Sequence, residues 1–160
     1  MNPLKVDFQE LYHRHLCRHS QFGINVLHLV SVVGIYIALF AIVFALPQPE
    51  WIIGLALGAY FIVLAVNIPV RLLLANVLFV AALFAVYRAL PHISVWIYLL
   101  LIFAWHRFQI WNHKVYDKHH DMSEFQAKYR KGPILFVLLS IYELPILLNY
   151  LVFDRKRWTA

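Results

Sequence analysis

Long apolar runs separated by short polar connections dominate the chain. Ile24–Leu46, Trp51–Ile68, Leu72–Leu90 and Ile93–Ile110 are each long enough to cross a bilayer, because a helix rising 1.5 Å per residue needs about 20 apolar residues to span about 30 Å of hydrocarbon. Pro47-Gln48-Pro49-Glu50 separates the first two runs. Asn67, Pro69 and Arg71 mark the next turn, and Arg88, Pro91 and His92 the one after. Trp51 stands where an interfacial anchor belongs. From Trp111 to Gly132 the pattern turns polar to amphipathic, as expected of a helix at the membrane surface, and Ser123-Glu124 can start a second helical piece. Pro133–Phe153 is apolar again but is interrupted by Glu143, Pro145 and Asn149. The pattern predicts an all-α polytopic membrane protein, one transmembrane domain over 1–160. It has about four transmembrane helices plus amphipathic and C-terminal re-entrant or spanning helices.

Composition agrees. The chain is 62% hydrophobic and 14% charged, against about 45–50% and about 25% in soluble domains. The formal charge is +6, with Lys and Arg gathered in the polar ends. That placement points to juxtamembrane contact with anionic lipid rather than to nucleic acid. Met1–Gly23 is polar and basic, and no A-x-A-like site ends the run after it, so the first span reads as a retained signal anchor. Cys17 is the only cysteine, which rules out an internal disulfide.

Charge asymmetry sets the expected topology. Pro47–Glu50 carries no Lys or Arg, whereas the N-terminal segment carries Lys5, Arg14 and Arg18 and the 107–132 segment carries six basic residues. The positive-inside bias puts both segments in the cytoplasm, which four spans satisfy. A fifth crossing by Pro133–Phe153 would put Arg155-Lys156-Arg157 outside, so a segment that does not cross fully is favoured. His13, His15, His19, His28, His106, His113, His119 and His120 then share the cytoplasmic face, and His92 alone lies opposite.

Such a layer of imidazoles can hold a metal. His15 and His19 are four apart and predict a shared helix face. His106, His113 and His120 recur every seven residues, and Gln109, His113 and Asp117 form an i, i+4, i+8 row. Imidazoles with one carboxylate and open positions suit a non-haem Fe(II) site that activates O₂. Asp117 is the candidate carboxylate, either on the metal or on an imidazole N–H. The plain alternatives are that His13 and His119 are solvated and His92 interfacial. His28 lies about one turn inside the first span, where a polar group is costly and is functional by default. Its structural alternative is a helix-to-helix hydrogen bond, with Asn25 as neighbour. Glu143 is equally costly, either as an interfacial ion-pair partner or as a ligand or proton acceptor lining a cavity. Gly54 and Gly58 have G-x-x-x-G spacing, a weak signal for close helix approach. Walker A, G-x-S-x-G, CxxC and H-E-x-x-H patterns are absent.

Two stretches carry a resemblance. The first is Tyr12-His13, His15, His19 and Asn25-Val26-Leu27-His28. The second runs Phe108-Gln109-Ile110-Trp111-Asn112-His113-Lys114-Val115-Tyr116-Asp117-Lys118. Together with the hydropathy plan they resemble the iron-dependent membrane dioxygenases of 2-hydroxy fatty acid α-oxidation, whose second motif reads roughly F-Q-x-x-G-H-x-x-[FY]-E-[KR]. Asn112 stands for the Gly and Asp117 for the Glu. Asn25 and His28 are one residue closer than expected, and the Pro-Ala after the second motif is missing. The resemblance implies an Fe(II) enzyme that uses O₂ to remove one carbon from a 2-hydroxy fatty acid. It implies metal ligands among His15, His19, His28, His106, His113 and His120, an acyl tail between helices in the bilayer, and Lys114 or Arg107 holding the substrate carboxylate. The competing expectations are a di-iron lipid hydroxylase, for which His119-His120 is the only adjacent pair, a haem protein using His28 and His106, and a non-catalytic scaffold.

Overall fold

The computed structural model describes residues 2, 4–17, 19–91, 93–116, 123–129 and 132–159. The chain forms α1 (Phe8–His15), α2 (Phe22–Phe44), α3 (Pro49–Asn67), α4 (Val70–Ala89), α5 (Val95–Tyr116), α6 (Ser123–Lys128) and α7 (Pro133–Leu148). A π turn at Asn149–Phe153 and a 3-10 turn at Arg155–Thr159 follow. The Asp7 side chain caps α1 by accepting from the Glu10 N–H, which satisfies one of the free donors of a first turn. Prolines begin α3 and α7, where the missing N–H costs nothing. Among the described residues four segments are long and apolar enough to cross a membrane, α2, α3, α4 and 133–153; the expected fourth span, Ile93–Ile110, is not one of them. This is an all-α polytopic membrane protein.

α5 is more polar than those four, since it carries His106, Arg107, Gln109 and Asn112, yet it runs antiparallel along α2. Two glycines make that approach possible. A Cβ at Gly34 would sit 2.1 Å from Trp105 Nε1, and one at Gly23 would sit 2.6 Å from the Tyr116 hydroxyl. Eleven residues separate the glycines and eleven separate the aromatics, so each pair recurs after three turns on matching faces. The expected contact through Gly54 and Gly58 is not made: both face open space. They lie on α3, only 6% of whose apolar window is buried, so nothing packs against them. The expected fourth run, Ile93–Ile110, is also longer than its apolar content indicates, because α5 continues without a break to Tyr116.

The connections sort to two ends of the bundle. Val6 N–H donates to Asn67 Oδ1 (2.7 Å), and Asn67 Nδ2 donates to the Leu4 carbonyl (3.0 Å), which pins the N-terminal segment to the α3–α4 turn. At the other end Phe44, Tyr87, Ile93 and Tyr98 line one small cavity, joining the α2–α3 and α4–α5 connections.

Pro133–Phe153 begins and ends beside α1. On one flank α6 is tied to α1 by a Lys128–Glu10 ion pair, and the Phe125 ring meets His15 edge-on. On the other flank the Tyr12 hydroxyl donates to Asp154 Oδ2 (2.8 Å), and the Tyr150 hydroxyl donates to the Ser20 carbonyl (2.9 Å). The segment is thus tied to the N-terminal region on both flanks and is also apolar enough to cross. Its window is 56% buried within the protein, against 33% for α2, so it contributes more of its surface to the core than α2 does. Pro145 removes one ladder donor inside α7, and the helix loosens into a π turn four residues later.

Candidate metal centre

Three segments deliver three imidazoles to one point. His19 comes from the α1–α2 connection, His28 from the second turn of α2, and His113 from the last turn of α5. One ring nitrogen of each lies within 4.8 Å of the others. His19 and His28 are buried and His113 is half-buried. His28 Nε2 is 3.2 Å from His113 Nε2. Two nitrogens at that separation, each about 2.1 Å from a shared ion, subtend about 100°, between octahedral and tetrahedral angles. His28 Nδ1 faces the Ile24 carbonyl at 3.1 Å, one turn back in its own helix. A hydrogen bond there fixes the tautomer that leaves Nε2 as a ligand lone pair. Without an ion, the same pair accommodates one N–H···N bond from His113.

Asn25 holds His19 in place. Its Nδ2 donates to the His19 carbonyl (2.7 Å) and to the Gln21 carbonyl (2.8 Å), and the side chain is fully buried. The sequence suggests Asn25 only as a neighbour of His28; in the structure it anchors the loop that presents a different histidine. The shared helix face expected of His15 and His19 is not realised. α1 ends at His15, and His19 lies in the turn beyond, its N–H on the Leu16 carbonyl (3.2 Å). The turn nevertheless brings the two rings to 4.3 Å between centroids. His15 thus abuts the cluster without joining its three-nitrogen set.

The cluster forms one wall of a cavity of about 160 Å³, also lined by His15, His106, Gln109, Ser140 and Glu143. A larger cavity of about 540 Å³ shares His106, Gln109, Phe136, Ser140 and Glu143 with it and continues between α2, α5 and α7 along an apolar wall that includes Val32, Leu39, Leu99 and Phe103. Gln109 Nε2 donates to Glu143 Oε1 (3.1 Å) at this junction. Among the described residues no Lys or Arg lines either cavity.

The remaining expected site residues divide clearly. His106 is exposed and lines both cavities, but it is not in the three-nitrogen set. Seven residues on one helix are about 10.5 Å of rise, too far for His106 to share an ion with His113. Lys114 and Arg107 are exposed and line neither cavity. His13 is exposed on α1. Asp117, His119 and His120 lie outside the described residues, as does His92.

Comparison with family models, with characterised proteins and with solved structures finds no match.

Proposed function

We propose that this protein is an Fe(II)-dependent dioxygenase that shortens 2-hydroxy fatty acids by one carbon at the membrane surface. The observation that carries the reading is the three-histidine cluster on the wall of a 160 Å³ cavity that shares His106, Gln109, Phe136, Ser140 and Glu143 with a 540 Å³ cavity of largely apolar lining. Three neutral imidazoles leave coordination positions open, as oxygen-activating non-haem iron requires. Bound Fe(II) would supply the electron exchange that lets O₂ react with a closed-shell acid. His19, His28 and His113 would hold it, with the Ile24 carbonyl orienting His28 and Asn25 fixing His19. The acyl tail would lie along Val32, Leu39, Leu99 and Phe103, its carboxylate and hydroxyl turned toward the histidines. Among the described residues no Lys or Arg lines the cavities, and His106 at their junction can offer a ring N–H to the acid. The stoichiometry closes without an outside reductant, because R-CH(OH)-COOH and O₂ give R-COOH, CO₂ and H₂O.

The haem alternative needs His28 and His106 to face each other, and His28 faces His113 instead. The proposed orientation puts the histidine end in the cytoplasm. Among the described Lys and Arg residues, Arg88 alone lies at the opposite end, near Tyr87 and Ile93, as the positive-inside bias favours.

The test is turnover. Purified protein supplied with Fe(II), O₂ and a long-chain 2-hydroxy fatty acid should consume O₂ and release the acid one carbon shorter, read by mass spectrometry. Iron-loaded protein that releases none overturns the reading.

A further inference from the structure

Glu143 sits in the middle of the apolar α7. An ionisable side chain at such a place is expensive and marks function by default. Gln109 holds its carboxylate through a 3.1 Å hydrogen bond, and Gln109 stands one turn before His113 on the same face of α5. Glu143 lines both cavities, so it stands where the polar pocket meets the apolar one. Its oxygens do not join the set of ligand atoms that His19, His28 and His113 bring within 4.8 Å of one another. The carboxylate is thus beside the centre rather than in it, on the shared wall of the two cavities.

We propose that Glu143 is a catalytic residue that accepts the proton of the substrate's 2-hydroxyl, and is not a further metal ligand. The inference rests on the dioxygenase reading above. In the step, the hydroxyl O–H bond breaks, its electron pair stays on the substrate oxygen, and the proton passes to the Glu143 carboxylate. In the net reaction the bond between the first and second carbons breaks, the substrate is oxidised to the shorter acid and CO₂, and O₂ is reduced. The proton held by Glu143 leaves in the water formed, which restores the carboxylate. Gln109 is the positioning residue, since it orients the oxygen that Glu143 does not use.

Glu143→Gln keeps the size of the side chain and an acceptor for Gln109 but cannot take a proton. The variant should retain the iron content of the unmodified protein, by elemental analysis. It should also bind radiolabelled 2-hydroxy acid as tightly, while turnover falls by about 10²–10⁴-fold, the range for loss of a general base. Formate added to Glu143→Ala should restore part of the rate. Loss of iron from Glu143→Gln would make Glu143 a ligand and overturn the proposal, and so would full turnover by Glu143→Gln beside an active unmodified protein. Unmodified protein that binds iron yet yields no shortened acid would remove the dioxygenase reading, and this proposal with it.

Discussion

The Nε2 atoms of His28 and His113 lie 3.2 Å apart, although 85 residues separate them in the chain. The antiparallel register of α2 against α5 sets that distance, and Gly34 beneath Trp105 fixes the register. Gly34→Ala should therefore act at a distance. Its Cβ would overlap the Trp105 indole, and overpacking of this kind costs about 1–3 kcal/mol. A lower midpoint of thermal unfolding in detergent, together with weaker metal binding, is the expected result. Gly54→Ala, which meets nothing within 4 Å, should be silent in both.

Asn25 gives a second prediction, because it touches the backbone of His19 and not its ring. Asn25→Ala should weaken metal affinity by about 10–100-fold, the usual cost of removing an outer partner. All three imidazoles would still be present, so binding should weaken rather than vanish. An affinity equal to that of the unmodified protein, measured by competition with a coloured chelator, would show that His19 needs no anchor.

The spans α2, α3 and α4 were legible in the sequence because about 20 apolar residues in a row have few other uses, whereas the expected span at Ile93–Ile110 belongs to a helix too polar to qualify. The partnership of His28 with His113 was legible too, since an even number of crossings returns the chain to one face. Spacing was a poorer guide. The seven-residue recurrence of His106 and His113 keeps both near one helix face, yet their separation along the axis keeps them off one ion. His15 and His19 looked like a helical pair, but α1 stops between them. The Gln109–Glu143 contact joins helices far apart in sequence, and no local pattern announces such a pair. For Pro133–Phe153 the charge pattern favoured a segment that does not cross fully, while hydropathy alone left both readings open, because it measures length and polarity and not where the two flanks dock.

Those flanks give a topological prediction. Replace Cys17, then place single cysteines at Leu4, Lys114 and Lys156 on one side and at Gln48 and Ile93 on the other. Impermeant labelling of sealed vesicles should treat the first three alike and the last two oppositely. Labelling of Lys156 with Gln48 would mean that Pro133–Phe153 crosses after all.

Tyr12 closes the N-terminal helix onto Asp154. Burial first, and then the Asp154 carboxylate, push its hydroxyl above the ordinary tyrosine value. A raised folded-state value means that the contribution is whole below the unfolded value of about 10 and is lost as pH rises above it and through the folded-state value. Tyr12→Phe should cost about 1 kcal/mol near neutrality and should flatten the fall in stability above about pH 10. Some slope should remain, because burial raises Tyr129 with the same sign. An alkaline profile unchanged by the substitution would show that this hydroxyl does not hold α1 in place.

The centre itself is tested most directly by counting metal. Protein purified gently and loaded with Fe(II) under anaerobic conditions should carry about one tightly held ion per chain, as a single cluster of imidazoles predicts. His19→Ala, His28→Ala and His113→Ala should each lose most of it, while His13→Ala, altered on the exposed side of α1, should keep it. Elemental analysis of these five proteins side by side is the measurement. Iron retained in full by His19→Ala, His28→Ala and His113→Ala would contradict the account.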